Sequence, residues 1–219
     1  MLIVVEGPSA VGKTSLLRTF PASQVVGEEW EALGIPRGSG PEKPQSEEAQ
    51  DFWVELHTKR WQKLLETESS LGHAYADTDP VKLYYNFALV KRGYMDREVF
   101  ERGFAQTEQA FLQSLLGFAD YVIVLSSPPD ILLQRKINDA SRHRGQFALH
   151  SQLGPLIEEY YTVLERLRPG TVHFIDATTD RRDEITSALV AKLTPSSNAR
   201  SDLSTLHHLK QALDVLLPI

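Results

Sequence analysis

The sequence predicts an α/β domain: a five-stranded parallel sheet flanked by helices. Two observations carry that prediction. Short apolar runs, Leu2-Ile3-Val4-Val5, Tyr121-Val122-Ile123-Val124-Leu125 and Val172-His173-Phe174-Ile175, recur between stretches with helical spacing. Such runs suit parallel strands covered on both faces. The first run leads at once into Gly7-Pro8-Ser9-Ala10-Val11-Gly12-Lys13-Thr14. This is a complete G-x-x-x-x-G-K-T loop, which joins a strand to a helix and surrounds phosphate with backbone N–H groups.

The elements follow in order. A helix opens at Thr14 and runs to Phe20, its N-terminal N–H groups facing the anion. A second strand is expected at Gln24–Gly27, ending at Glu28-Glu29; the Gly- and Pro-rich stretch 34–44 then reads as a loop. Ser46 caps a long helix whose apolar face holds Phe52, Trp53, Leu56, Arg60, Trp61, Leu64 and Leu65. Both tryptophans are read as core. Strand 3 is expected at His73–Ala76 and closes on Asp77-Thr78-Asp79-Pro80. There Asp79 suits an N-cap and Pro80 the first helical position. Helices are expected at 81–91 and 96–117. After the fourth strand, Ser127-Pro128-Pro129-Asp130 has capping-box spacing with proline at the start of a helix. Residues 139–148 are polar and basic and read as a lid. A helix at 152–167 stops at Pro169-Gly170, the last strand ends at Asp176, and a helix finishes near Leu193. The domain therefore spans 1–193. Residues 194–201 read as a polar linker, and 202–217 form an extra amphipathic helix with Leu203, Leu206, Leu209, Leu213 and Leu216 on one face. That helix either docks on the domain or mediates a homodimer.

Composition narrows the function classes. The net charge of −6, without a long basic stretch, argues against duplex nucleic acid as a partner. No cysteine is present, so disulfide frameworks and thiolate metal sites are excluded. The chain starts directly on a strand and has no long apolar run, so a cytoplasmic protein without membrane contact is expected.

Ligands of such sheets bind outside the carboxyl ends of the strands. That rule places the phosphate loop, Glu28, Asp77, Ser126 and Asp176 on one rim. Gly7, Ser9, Ala10, Val11, Gly12, Lys13, Thr14 and Ser15 are the nucleotide-binding candidates. Lys13 faces the β- and γ-phosphates, and the Thr14 hydroxyl holds Mg²⁺. Asp77 at a strand tip suits a second Mg²⁺ contact or a proton acceptor, and Glu28 is the competing proton acceptor. Arg142 and Arg144 in the lid suit a migrating phosphoryl group, because the guanidinium fork pairs with phosphate oxygens and keeps its charge. Arg135 lies a turn or two earlier. Arg92, Arg97 and Arg102 are further candidates for an anionic group of an acceptor. The histidines show no metal-ligand spacing.

These pieces together resemble the P-loop nucleoside and nucleotide kinases, the group of deoxynucleoside kinases and thymidylate kinase. The phosphate loop matches fully. The stretch Ser126–Lys136, then Arg142-His143-Arg144, then Tyr160-Tyr161, resembles the family's strand-4, helix, arginine-lid and following-helix region. Val172–Ala177 is similar to its last strand and adenine-side loop. The resemblance implies ATP and Mg²⁺ as cofactors, Arg135 on the nucleotide, Glu28 as base and Asp77 as the acidic residue closing strand 3. Thr78 stands where the family has arginine, and Glu29 where it has proline. Related phosphotransferases act on antibiotics. The reading is an ATP-dependent phosphotransferase acting on a hydroxyl or phosphate of a small molecule: a nucleoside, a nucleotide, or a nucleoside-like or antibiotic compound. A regulatory ATPase switch and a polynucleotide 5′-kinase are the alternatives.

Overall fold

The computed structural model describes residues 1–27, 46–139, 147–179 and 181–217. Five parallel strands form one sheet: β1 (Leu2–Glu6), β2 (Val25–Val26), β3 (Ala74–Asp77), β4 (Tyr121–Ser126) and β5 (Val172–Asp176), in the order β2-β3-β1-β4-β5. β1 lies at the centre, and every residue in it is buried. The two-residue side-chain period of its strands sorts their residues onto two faces. Leu2, Val4, Ala76, Val122 and Val124 look one way. Ile3, Val5, Tyr75, Ile123 and Leu125 look the other.

Helices cover each face. Under the first lie α2 (Glu47–Leu71), α3 (Leu83–Lys91), α4 (Arg97–Leu112), α7 (Gly154–Leu167) and α9 (Leu203–Leu216). Against the second pack α1 (Lys13–Leu17), α5 (Pro129–Asn138) and α8 (Arg182–Val190), through Leu16, Leu17, Leu132 and Leu189. The short α6 (Phe147–Gln152) precedes α7. Gly154 and Pro155 mark the break between them, since proline brings no N–H to continue the first helix. Ser46 caps α2 as expected, its Oγ accepting the Ala49 N–H at 3.3 Å.

Three local expectations are corrected. Asp79 does not cap a helix; α3 starts later, behind Lys82. Its carboxylate instead turns inward and accepts the Val81 N–H and the Tyr161 hydroxyl, each at 2.9 Å. The capping box at Ser127 is not made. The N-cap of α5 is Pro128, one residue late for the Ser127 hydroxyl, whose buried Oγ has no hydrogen-bond partner among the described residues. Of the two tryptophans, Trp61 is core at 1% exposure, whereas Trp53 lines the main cavity.

The polar segment before α9 is anchored. The Phe118 N–H donates to the Arg200 carbonyl, and the Ser201 hydroxyl donates to that of Leu116. The Arg200 guanidinium grips Glu68 through two bonds of 2.6 Å, and also Asp120. The Met1 amine meets Glu68 at 2.5 Å, and Asp120 accepts the Leu2 N–H. Leu206, Leu209 and Leu213 of α9 belong to the same apolar cluster as Leu2 and Val4. No helix among the described residues is long and apolar enough to cross a membrane.

Candidate active site

The phosphate loop leaves the central strand between the ends of β3 and β4. Its shape depends on two glycines. Gly7 has φ 141°, and a Cβ there would stand 2.3 Å from the Leu125 carbonyl oxygen. Gly12 has φ 108° and is the N-cap of α1. Ala10 also takes a left-handed conformation, at φ 68°. This succession of backbone angles curls the loop around the space where phosphate oxygens bind. Lys13 Nζ donates into the loop, to the Gly7 carbonyl at 2.6 Å. Glu6, 2% exposed, supports the loop from beneath by accepting the Gly7 N–H and the Asp79 N–H.

The Thr14 hydroxyl donates to Asp77 Oδ2 at 3.0 Å. A hydroxyl and a carboxylate thus meet at the mouth of the loop. Oxygen ligands of this kind suit Mg²⁺, which is commonly held by one or two protein oxygens together with substrate phosphates and waters. The donor set therefore fits the metal.

A cleft of about 910 Å³ runs from this point. Gly7, Ser9, Ala10, Val11, Gly12, Lys13, Thr14, Ser15, Asp77 and Arg135 all line it. Its far chamber is walled by α2, α3, α4 and α7, with Trp53, Tyr84, Tyr85 and Ile157 as apolar surface. Two amides mark its floor: Asn86 Nδ2 donates to Gln50 Oε1 at 2.9 Å. Gly103 leaves them room, since a Cβ there would approach them to 2.7 and 2.9 Å. Tyr85 and His150 hydrogen-bond at 3.0 Å at the chamber's edge.

Arg135 lines the cleft and spans two loops, donating to the Val11 carbonyl at 3.0 Å and to that of Ala177 at 2.5 Å. Other groups sit apart from the cleft. Arg97 and Arg102 are engaged by Asp214, Glu101, Asp51 and Glu47, and Arg92 donates to the Gln152 carbonyl; none lines the cleft. Asp176 is exposed and accepts the Thr178 N–H in a turn. Glu28, Arg142 and Arg144 lie outside the described residues. So does the expected lid, apart from Asp139 behind α5 and the first residues of α6.

Arg60 stands among the apolar residues of one face of α2, and that anomaly signals its role. At 1% exposure it reaches from α2 to the strand ends, donating to the carbonyls of Gly27, Asp77 and Thr78. No arginine follows Asp77; a guanidinium arrives there from another helix. Thr78 is held at φ 80°, an uncommon conformation for a β-branched residue. Burial drives the Asp79 carboxyl up to about 6, with the nearby Glu6 charge adding to the effect. Burial likewise pushes the Tyr161 hydroxyl well above its ordinary value. Gln50, Asn86 and Gly103 carry no sequence signal, because their neighbours come from distant segments; Glu6 and Arg182 belong to no motif.

The fold is shared with solved nucleoside kinases. A deoxyadenosine kinase from M. mycoides superposes with a TM-score of 0.58 at 15% identity, covering 88% of this chain and 100% of that one. The same kinase with bound dATP gives 0.57 at 16% identity. NadR in complex with NR gives 0.56 at 13% identity, covering 90% of this chain and 51% of that protein. No family model matches the sequence, and no curated protein matches it.

Proposed function

We propose that the protein is a kinase that moves the γ-phosphoryl group of ATP to a hydroxyl or phosphate oxygen of a nucleoside-like small molecule. The observation that carries this reading is the Thr14–Asp77 contact, placed where the phosphate loop opens into a second, amide-floored chamber. A cleft of about 910 Å³ has room for a nucleotide and an acceptor end to end, being at the upper end of ordinary ligand pockets. Paired amides and aromatic walls suit a planar, hydrogen-bonding heterocycle. The M. mycoides kinase, seen with dCMP and dCDP in one structure and dATP in another, supports the same class of acceptor.

In this reading the N–H groups of Gly12–Ser15 and the Lys13 ammonium bind the phosphate chain. Thr14 and Asp77 would hold Mg²⁺, which supplies positive charge against the phosphate oxygens. The acceptor oxygen attacks the γ-phosphorus as the bond to the β,γ-bridging oxygen breaks, so ADP leaves with that electron pair. The acceptor's proton passes to a carboxylate; with Asp77 engaged by Thr14, Glu28 takes that role. Arg142 and Arg144 stabilise the charge on the moving group.

The experiment is an acceptor screen coupled to ADP release, run with nucleosides, nucleotides and aminoglycoside- or chloramphenicol-type compounds. At least one acceptor is expected to stimulate ADP release, and Lys13→Ala to abolish the stimulated rate. Slow hydrolysis that no acceptor stimulates would favour the switch reading, and an undiminished rate in Lys13→Ala would sink the kinase.

A further inference from the structure

Arg182 belongs to no motif, yet it stands against the phosphate loop. It opens α8, just after the turn that follows β5, and its side chain is 13% exposed. Asp183 takes one edge of its guanidinium, Nε at 2.7 Å and NH2 at 2.5 Å. The remaining nitrogen, NH1, lies 2.2 Å from the point where a Cβ on Gly12 would stand. Among the described residues its one hydrogen bond is a long one, 3.5 Å to the Gly12 carbonyl. The residue also lines the nucleotide end of the cleft.

The Arg135 guanidinium approaches the same loop but ends on two carbonyls, Val11 and Ala177. Both of its terminal nitrogens join the phosphate loop to the β5–α8 turn, so it acts as a strut. Arg182 instead has a fork oriented by Asp183 and a nitrogen at a loop residue whose own N–H faces phosphate. An oriented guanidinium loses little further freedom when it meets an anion. The glycine at position 12 thereby serves two needs: it provides the left-handed angle, and it clears the space the guanidinium occupies.

We propose that Arg182 is a nucleotide-binding residue, its NH1 donating to an oxygen of the phosphate chain, with Asp183 as its positioning residue. This rests on the kinase reading only insofar as the loop binds nucleotide. The test needs no acceptor. Displacement of a fluorescent ADP analogue by ADP and by inorganic tripolyphosphate is measured with Mg²⁺ on the full chain. Arg182→Ala is expected to weaken both ligands by the same factor, about tenfold, with the melting temperature within 2 °C of wild type. Arg182→Lys is expected to recover part of the loss. Unchanged affinities would overturn the inference, and so would a loss confined to ADP, which would place the guanidinium on the base. If the alanine variant fails to fold, Arg182→Gln, which keeps the length and drops the charge, is expected to show the same equal loss. Failure of wild type to bind either ligand would overturn the kinase reading along with this one. Loss of binding in Lys13→Ala but not in Arg182→Ala would overturn this one alone.

Discussion

Replacing Arg200 by alanine removes the charge at the centre of a network joining Met1, Glu68 and Asp120. The size of the effect follows from Glu68. Bonded to Arg200, its carboxyl sits at about 2 against an ordinary 4.5. The unfolded chain takes up a proton near 4.5, but the folded one resists until about 2. The stabilisation is therefore complete above pH 4.5 and vanishes as pH falls to 2. At pH 7 it amounts to about 3 kcal/mol. The Met1 amine retains part of it in the variant, whereas Asp120, 4% exposed, is left without its cation, which adds a cost. A net loss of about 3 kcal/mol is expected, or a melting temperature lower by about 10 °C for a chain of this size. Urea unfolding of wild type and Arg200→Ala at pH 7 and pH 3 measures it, and the penalty should shrink to about 1 kcal/mol at pH 3. A penalty below 1 kcal/mol at pH 7, or one equal at both pH values, would refute the reasoning.

Three more outcomes are expected. Asp79 keeps its proton to about pH 6 in the folded chain but loses it near 3.8 when unfolded. Ionised Asp79 therefore costs the fold stability above pH 6, a cost absent below pH 4; Asp79→Asn should be more stable than wild type by about 2 kcal/mol at pH 8, and the gap should close at pH 4. Gly7→Ala drives a Cβ into the Leu125 carbonyl at a backbone angle alanine rarely adopts. A loss of about 2–4 kcal/mol in denaturant unfolding, together with loss of nucleotide binding, checks this. Gly103→Ala meets only the ends of the Gln50 and Asn86 side chains. Stability should change by less than about 1 kcal/mol, while the KM of the stimulating acceptor rises and that of ATP does not; an equal rise in both would place the amides outside the acceptor site.

The layers of the fold and the phosphate loop were legible because their signals are local. Strand runs such as Val122–Leu125 announce burial within a few residues, and the loop needs glycine, lysine and threonine at set intervals along one stretch of chain. Asp79 was misread for the opposite reason. Beside Pro80 its local context favours a cap, but Tyr161, 82 residues on, draws the carboxylate into the core. Arg60 and Arg135 bond mainly to backbone carbonyls, which every residue carries, so no residue type at the far end betrays them. Asp77 could be placed at a strand tip from spacing alone, whereas its meeting with Thr14 required the register of β3 on β1, with Val5 beside Asp77.

The anchored segment before α9 bears on how the chain is made and handled. Arg200 closes the network beside the first strand, and the leucines of α9 complete the cluster beneath Leu2 and Val4. A ribosome-bound chain that has not yet released residue 200 has the outer faces of α4 and α7 uncovered, because α9 packs on those two helices. A protease that nicks the polar stretch at 194–199 would strip away core rather than trim a tail. Expression boundaries drawn at the end of α8, where composition invites them, would leave a domain prone to association through the surface of α4 and α7 that α9 normally covers.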